Sequence, residues 1–112
     1  MEPQLSHPSN VKFFAILQKM KDLSMMKQAD YGSVEDPFAN VREGAMAMGM
    51  HAWVGAAIRM NDKMRRINKA ARTGAESLKN DSLIDDFLDM ANYAVIALVA
   101  LLDEEGMQVD DI

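Results

Sequence analysis

The feature that most constrains the fold is the stretch NDSLIDDFLDMANYAVIALVALL, residues 80–102. Its apolar residues recur at the period of an α-helix, and a helix that is apolar all round is buried on all sides. From Ala91 onward almost every position is apolar. In a chain of 112 residues, three further helices hardly enclose such a helix. We therefore expect an all-α protein, a four-helix-bundle-like module that assembles into a homo-oligomer as a dimer or tetramer. The predicted principal stripe of this helix is Leu83, Phe87, Met90, Ala94, Ala97 and Leu101.

Three other helices are predicted upstream. The first follows HPSN, where Ser9 or Asn10 can cap it, and ends near Gly32. A short second helix surrounds VREGAMAM and ends near Gly49. The third ends at RTG, which gives a basic last turn and a terminal glycine. Its apolar stripe is Trp53, Ala57, Met60, Met64, Ile67 and Ala71. The pattern indicates one domain over residues 1–112, with 1–9 as a loose N-terminal extension.

Composition limits the cellular compartments and the kinds of catalytic or metal site that fit this chain. The chain has no cysteine, which excludes thiolate catalysis and thiolate metal sites. Its net charge of −5 argues against a long nucleic acid as partner. The N-terminus MEPQLSHPSN lacks the regions of a signal peptide, and the apolar run MANYAVIALVALL is too short to span a membrane. We therefore predict a soluble, cytoplasmic protein without a membrane partner.

Four aspartates begin the last helix. Asp81, Asp85 and Asp89 are spaced i, i+4, i+8 along one helical face, with Asn92 nearby and Asp86 on an adjacent face. Capping and the helix dipole explain the first two equally well. Asp89 lies beyond that reach, among apolar neighbours, and an unpaired carboxylate there costs several kcal/mol. We expect a cation to face it, either Mg²⁺ or Mn²⁺ or a basic residue of the third helix.

Basic residues supply two further candidate elements. In RMNDKMRR of the third helix, Asp62 is surrounded by Arg59, Lys63, Arg65 and Arg66. This pattern is typical of a solvated ion-pair ladder, and it also suits phosphate binding, for which arginine offers paired donors. In KQADYGS, Lys27 can contact a phosphate and Tyr31 a base, or the segment is only a helix end with a packing tyrosine.

Three blocks together resemble a known family: KQADYGSVEDPFANVR, AWVGAAIRMNDKMRRI and LKNDSLIDDFLDMANYAVIAL. They are similar to the phage and bacterial family called nucleotide modification associated domain 1, over roughly residues 20–102. That family resembles the MazG-like and dimeric dUTPase-like all-α nucleoside triphosphate pyrophosphatases. The resemblance implies a four-helix module that forms dimers or tetramers and hydrolyses (d)NTPs to (d)NMP and pyrophosphate with Mg²⁺.

The resemblance also implies a metal site. The ExxD motif of the wider group falls on Asp86 and Asp89, whereas the phage-type block maps onto Asp81, Asp85 and Asp89. The ExxE motif falls on Arg59 and Asp62, where arginine replaces the first acid. These motifs imply catalytic roles for Asp62, Asp85 and Asp89, and metal ligands among Asp62, Asp81, Asp85, Asp86 and Asp89.

The leading hypothesis is therefore a Mg²⁺-dependent (d)NTP pyrophosphohydrolase. Its predicted nucleotide contacts are Lys27, Tyr31, Arg59, Lys63, Arg66 and Asn92. The incomplete ExxE motif and the excess of basic residues favour a second hypothesis, a non-catalytic oligomeric nucleotide binder or sponge. In a third, the chain is a helical assembly protein whose charges are all capped or solvated. Turnover and metal dependence separate the first two hypotheses, and the third predicts that Asp89→Ala is neutral or stabilising.

Overall fold

The computed structural model describes residues 4–31, 38–74 and 82–112. Within these ranges the chain is helical and contains no strand, which confirms the all-α class. No helix there is both long enough and apolar enough to cross a bilayer. The elements are α1 (Pro8–Tyr31), α2 (Ala39–Ala47), α3 (Ala52–Thr73), α4 (Ser82–Glu105) and a final 3₁₀ turn, Val109–Asp111.

The helix ends largely follow local sequence signals. Gly49 and Gly74, just beyond α2 and α3, have positive φ angles of 73° and 88°, which only glycine adopts without strain. At the start of α1 the predicted cap was wrong. Neither Ser9 nor Asn10 caps the helix, because it already begins at Pro8. The Nδ1 atom of His7 accepts the backbone N–H of Ser9 at 3.1 Å instead.

The core lies where α2, α3 and α4 meet. Val41, Ala56 and Ile96, one from each helix, form its buried cluster. Phe38 and Tyr93 are partly buried against that cluster. α3 and α4 pack along each other extensively, whereas α1 touches α4 over a much smaller area. The core is thus built on three helices, and α1 lies alongside it.

The contact between α2 and α3 depends on Gly55. A Cβ atom at this position would lie 2.7 Å from the carbonyl oxygen of Val41 and 3.3 Å from Cβ of Ala45. The first distance is well inside van der Waals contact and involves backbone, which cannot rotate away. Gly55 therefore sets how closely the two helices approach.

We expect Gly55→Ala to lower the free energy of unfolding by about 1–3 kcal/mol, because α2 must move away from α3. Gly44→Ala is the matched control. Nothing lies within 4 Å of a Cβ at Gly44 within α2, so alanine there should stabilise the helix by about 0.5–1 kcal/mol. Urea unfolding of both variants measures the difference. Equal effects of the two substitutions would contradict the close-approach role of Gly55.

The buried face of α4 differs from the predicted stripe. Asp86, Ile96 and Ala100 lie on the buried face, and Leu102 is also buried, near the C-terminal end of the helix, whereas Phe87 and Leu101 of the predicted stripe are 54% and 42% exposed. Because α4 is apolar nearly all round, its sequence does not mark which side faces the other helices. The structure turns the side that carries Asp86 toward α3.

The buried face of α3 also differs. Ala52, Ala56 and Ile67 are its buried residues, whereas Trp53 and Met64 of the predicted stripe are 37% and 39% exposed. Small residues are selected here because α2 packs closely on this side of the helix. The face is therefore turned by roughly half a residue step from the predicted stripe.

A long apolar stripe of α4 remains exposed. Its residues are spaced i, i+3, i+11, i+14 and i+17 and so lie on one side of the helix, over about 25 Å. α1 also exposes large apolar side chains, among them Val11, Phe13, Phe14, Ile16 and Leu17. The radius of gyration is 16.2 Å, compared with about 13 Å for a compact domain of this length. The stripe consists of Ile84, Phe87, Val95, Leu98 and Leu101.

Candidate functional site

The acidic side of α4 meets basic residues from α1 and α3. Lys27 Nζ of α1 lies 2.8 Å from Oδ1 of Asp89, and Lys63 Nζ of α3 lies 3.0 Å from its Oδ2. Lys63 Nζ is also 3.9 Å from Oδ1 of Asp86, which Arg66 Nε approaches to 3.3 Å. Three cations therefore surround two carboxylates one helical turn apart. We call these five residues the ion cluster.

Two basic residues contact Asp89 in the structure. Of the cations expected to face it, a basic residue of the third helix is present, as Lys63, and α1 adds Lys27. Asp89 keeps 24% of its side chain exposed, so it forms one wall of an open site. Asp86 is the buried member at 5% exposure, and Asp85 is exposed.

The environment of Asp89 lowers the pKa of its carboxyl group. Burial by itself raises this pKa, but the hydrogen bonds and charges of Lys27 and Lys63 together outweigh it. The carboxyl group is therefore ionised in the folded protein at neutral pH. It holds two lysines from two different helices in place.

This lowered pKa predicts acid sensitivity. A group whose pKa is lower in the folded than in the unfolded state stabilises the fold above the unfolded-state pKa, about 3.9 for aspartate. That contribution disappears as the pH falls through the folded-state pKa. Between neutral pH and pH 3, the thermal unfolding midpoint of the wild type should therefore decrease more than that of Asp89→Asn. Parallel curves for the two proteins would show that the two lysine contacts contribute nothing.

A cavity of about 420 Å³ opens beside the ion cluster, between α1, α2, α3 and α4. We call it the aromatic cleft. Two cations, Lys27 and Arg59, reach it, and Phe38 and Tyr93 supply aromatic surface. Pockets of this size, apolar with a few convergent polar groups, are typical of small-molecule sites. Its remaining lining residues are Ser24, Gln28, Asn40, Val41, Asn92 and Ile96.

A second cavity of about 320 Å³ lies between α1 and α4. We call it the acidic cleft, because Asp85 and Asp89 line it. It shares Ser24, Lys27 and Asn92 with the aromatic cleft, so the two adjoin. Lys27 thus stands at the junction of an aromatic and an acidic compartment. The apolar part of the acidic cleft is Met20, Leu23 and Leu88.

The predicted nucleotide contacts separate into groups. Lys27, Arg59 and Asn92 line the aromatic cleft. Lys63 and Arg66 belong to the ion cluster and are not among the lining residues of either cleft. Tyr31 ends α1, and its side chain lies outside the described part of the structure. Half of the predicted set is therefore gathered around one cavity.

The predicted acidic residues are more scattered. Asp86 and Asp89 meet in the ion cluster, and Asp85 opens on the acidic cleft. Asp62 is exposed and lines a shallow groove of α3 with Arg65, Lys69 and Arg72. Asp81 lies outside the described residues.

The sequence interpretation missed four polar or aromatic residues of the aromatic cleft: Gln28, Phe38, Asn40 and Tyr93. Tyr93 follows Asn92 and lies seven residues after Asp86, which places it on the same side of α4. That spacing was a usable signal, but it required knowing that Asp86 marks the inner side. Phe38 and Asn40 come from the start of α2, whose position beside α4 is a tertiary property.

The described residues do not fit a divalent metal ion by themselves. No group of three acidic or histidine side chains among them lies close enough to hold one. The two carboxylates that meet are already engaged by Lys27, Lys63 and Arg66. A divalent cation would have to displace these cations, so we assign no chemical step to a metal.

Part of the chain matches a known protein family. Residues 50–101, covering α3 and most of α4, match the family model described as nucleotide modification associated domain 1. This confirms the resemblance to that family over the second and third of the three blocks, and the match includes Arg59, Lys63, Asp86, Asp89 and Tyr93. No curated protein and no solved structure matches the chain.

Proposed function

Because residues 50–101 match the family model described as nucleotide modification associated domain 1, we propose that the chain binds a nucleotide in the aromatic cleft. The observation that carries the proposal is the composition of this cleft. Cations, side-chain amides and aromatic surface converge on one cavity of about 420 Å³. Phosphate, the edge of a base and the face of a base each require one of these three groups.

The phosphate end of the ligand is assigned to Lys27 and Arg59. They come from α1 and α3, on either side of the cleft, and both line it. Arginine can donate two parallel hydrogen bonds to a phosphate, and lysine acts as a point charge. A ligand with its phosphate between them would lie beside Asp89, which Lys27 contacts.

The base end is assigned to Tyr93 and Phe38. Both pack on the core cluster and are held by it, so their positions are set before a ligand arrives. Asn40 and Asn92 line the same cavity and offer both donors and acceptors to a base or sugar. An ordered aromatic wall with flanking amides reduces the entropy that binding costs.

The ion cluster is the reason to propose nucleotide binding without catalysis ahead of nucleotide hydrolysis. Its carboxylates are neutralised by protein cations, and the residues described do not assemble a metal site. This ordering reverses the one favoured by the family resemblance. It agrees with the arginine at position 59, where the wider group has an acid.

A panel of nucleoside mono-, di- and triphosphates tests the proposal. We expect at least one nucleotide to raise the thermal unfolding midpoint of the wild type in the presence of EDTA, since a ligand that binds only the folded state stabilises it. Arg59→Met should weaken that binding at least about tenfold, which corresponds to about 1.4 kcal/mol. Arg72→Met is the matched control, because Arg72 is an exposed arginine of α3 that does not line the cleft. Absence of a shift across the panel would refute nucleotide binding by this chain.

Mg²⁺-dependent hydrolysis of a (d)NTP is the second candidate. Asp85 and Asp89 line the acidic cleft, and Lys27 connects that cleft to the proposed phosphate position. Release of pyrophosphate from a dNTP panel with Mg²⁺ or Mn²⁺ would support it, provided that Asp89→Asn abolishes the release. Nucleotide binding that persists in EDTA without turnover in metal would exclude it.

A further inference from the structure

The contact between Lys27 and Asp89 has a consequence for ligand binding. Lys27 is one of the two cations assigned to the phosphate, yet in the structure its ammonium group is 2.8 Å from a carboxylate oxygen of Asp89. A carboxylate and a phosphate oxygen present the same negative hydrogen-bond acceptor to an ammonium group. Asp89 therefore occupies the position on Lys27 that a ligand phosphate would take.

The second oxygen of Asp89 has its own partner. Lys63 Nζ lies 3.0 Å from Oδ2 and is only 21% exposed, so it remains beside the carboxylate whatever Lys27 does. Lys63 and Arg66 also neutralise Asp86. If Lys27 leaves, Asp89 keeps one ion-pair partner and does not become an unpaired, half-buried charge.

Lys27 is free to make such a move. Its side chain is 48% exposed, and α1 has only a small contact area with the other helices. Its side chain lines both clefts, so a ligand in the aromatic cleft lies within reach of the same lysine that contacts Asp89. Lysine carries several rotatable bonds and three donors, which makes this exchange inexpensive.

We propose that Asp89 is an internal competitor for the phosphate site: it holds Lys27 in the free protein, and a ligand phosphate displaces it while Lys63 retains the carboxylate. The inference rests on the proposed nucleotide function. The ligand class that it selects is one with a terminal phosphate, which carries enough negative charge to outcompete a single carboxylate. Nucleosides lack that charge and should not displace it.

Isothermal titration in EDTA at constant ionic strength tests this, with the tightest nucleotide of the panel and with inorganic pyrophosphate as a simple probe. Asp89→Asn should bind about five- to tenfold more tightly than the wild type, because Lys27 is no longer held. Lys27→Met should bind more weakly. In the Lys27→Met background, adding Asp89→Asn should change the affinity less than about twofold, since the contested cation is gone.

The double-variant comparison separates competition from simple repulsion. If the charge of Asp89 only repelled the ligand, Asp89→Asn would give the same gain with or without Lys27, and the inference would be wrong. Weaker binding by Asp89→Asn would also overturn it and would point to a ligand contact or a metal. If no variant binds, the proposed function itself is refuted. If Asp89→Asn binds with the same affinity as the wild type, only the competition is refuted.

A crystal structure of the wild type with the bound nucleotide tests the same point without a substitution. Lys27 Nζ should lie within hydrogen-bonding distance of the phosphate and more than 4 Å from Asp89, while Lys63 keeps its contact of 3.0 Å. A ligand-bound structure in which Lys27 remains on Asp89 would overturn the inference.

Discussion

Replacing Asp86 by alanine is expected to lower the free energy of unfolding by about 3 kcal/mol, the lower end of the cost of breaking a buried ion pair. Asp86 is 5% exposed and forms ion pairs with Lys63 and Arg66. Without this carboxylate, both cations lose an ion-pair partner where α3 packs against α4. The loss stays at the lower end because Lys63 retains Asp89 and because Arg66, 60% exposed, can turn to solvent.

Asp85→Ala is the matched control for this prediction. Asp85 is the preceding residue on the same helix, also an aspartate, but it is exposed. Its removal should change stability by less than about 0.5 kcal/mol. Denaturant unfolding monitored by circular dichroism measures both. If the two substitutions cost the same, Asp86 does not hold α3 against α4, and the ion cluster has no structural role.

The second large effect concerns self-association. We expect the wild type to form a dimer or larger oligomer in solution, because the exposed stripe of α4 is about 25 Å long and entirely apolar. Leu98, 42% exposed, lies within this stripe. Burying a leucine contributes about 1.5–3 kcal/mol, and a two-fold interface contains it twice. Leu98→Asp should therefore raise the dissociation constant by at least about a hundredfold and give a monomer.

Size-exclusion chromatography with light scattering measures this directly. Asn68→Asp, which introduces the same charge at an exposed position of α3 outside the stripe, should leave the oligomer intact. Circular dichroism must show that Leu98→Asp keeps its helices. A wild type that is monomeric at the highest soluble concentration would contradict the prediction, and the stripe would then need another occupant.

The site was partly readable from the sequence. An aspartate two turns into an apolar helix required a cation, and Lys63 and Lys27 provide it. The sequence did not show whether Asp85 or Asp86 faces the other helices. Adjacent residues of a helix point about 100° apart, and α4 carries apolar residues in both directions. Only the position of α3 shows that Asp86 is the buried one.

The aromatic cleft was beyond the reach of the sequence for a different reason. Its walls come from four helices, and residues such as Phe38 and Tyr93 are separated by more than fifty positions. Each of them is ordinary in its own segment. A cavity is a property of how separate segments pack, and no local pattern encodes it.

The sequence by itself determined that the chain is helical, where most helices end, and that Asp89 needs positive charge. These are local properties, set by backbone hydrogen bonding, glycine conformations and the cost of an unpaired carboxylate. Only the tertiary structure decided which side of α4 faces inward. A helix that is apolar nearly all round gains similar hydrophobic free energy in any rotation, so the ion pairs of Asp86 and Asp89 with α1 and α3 distinguish one rotation from the others.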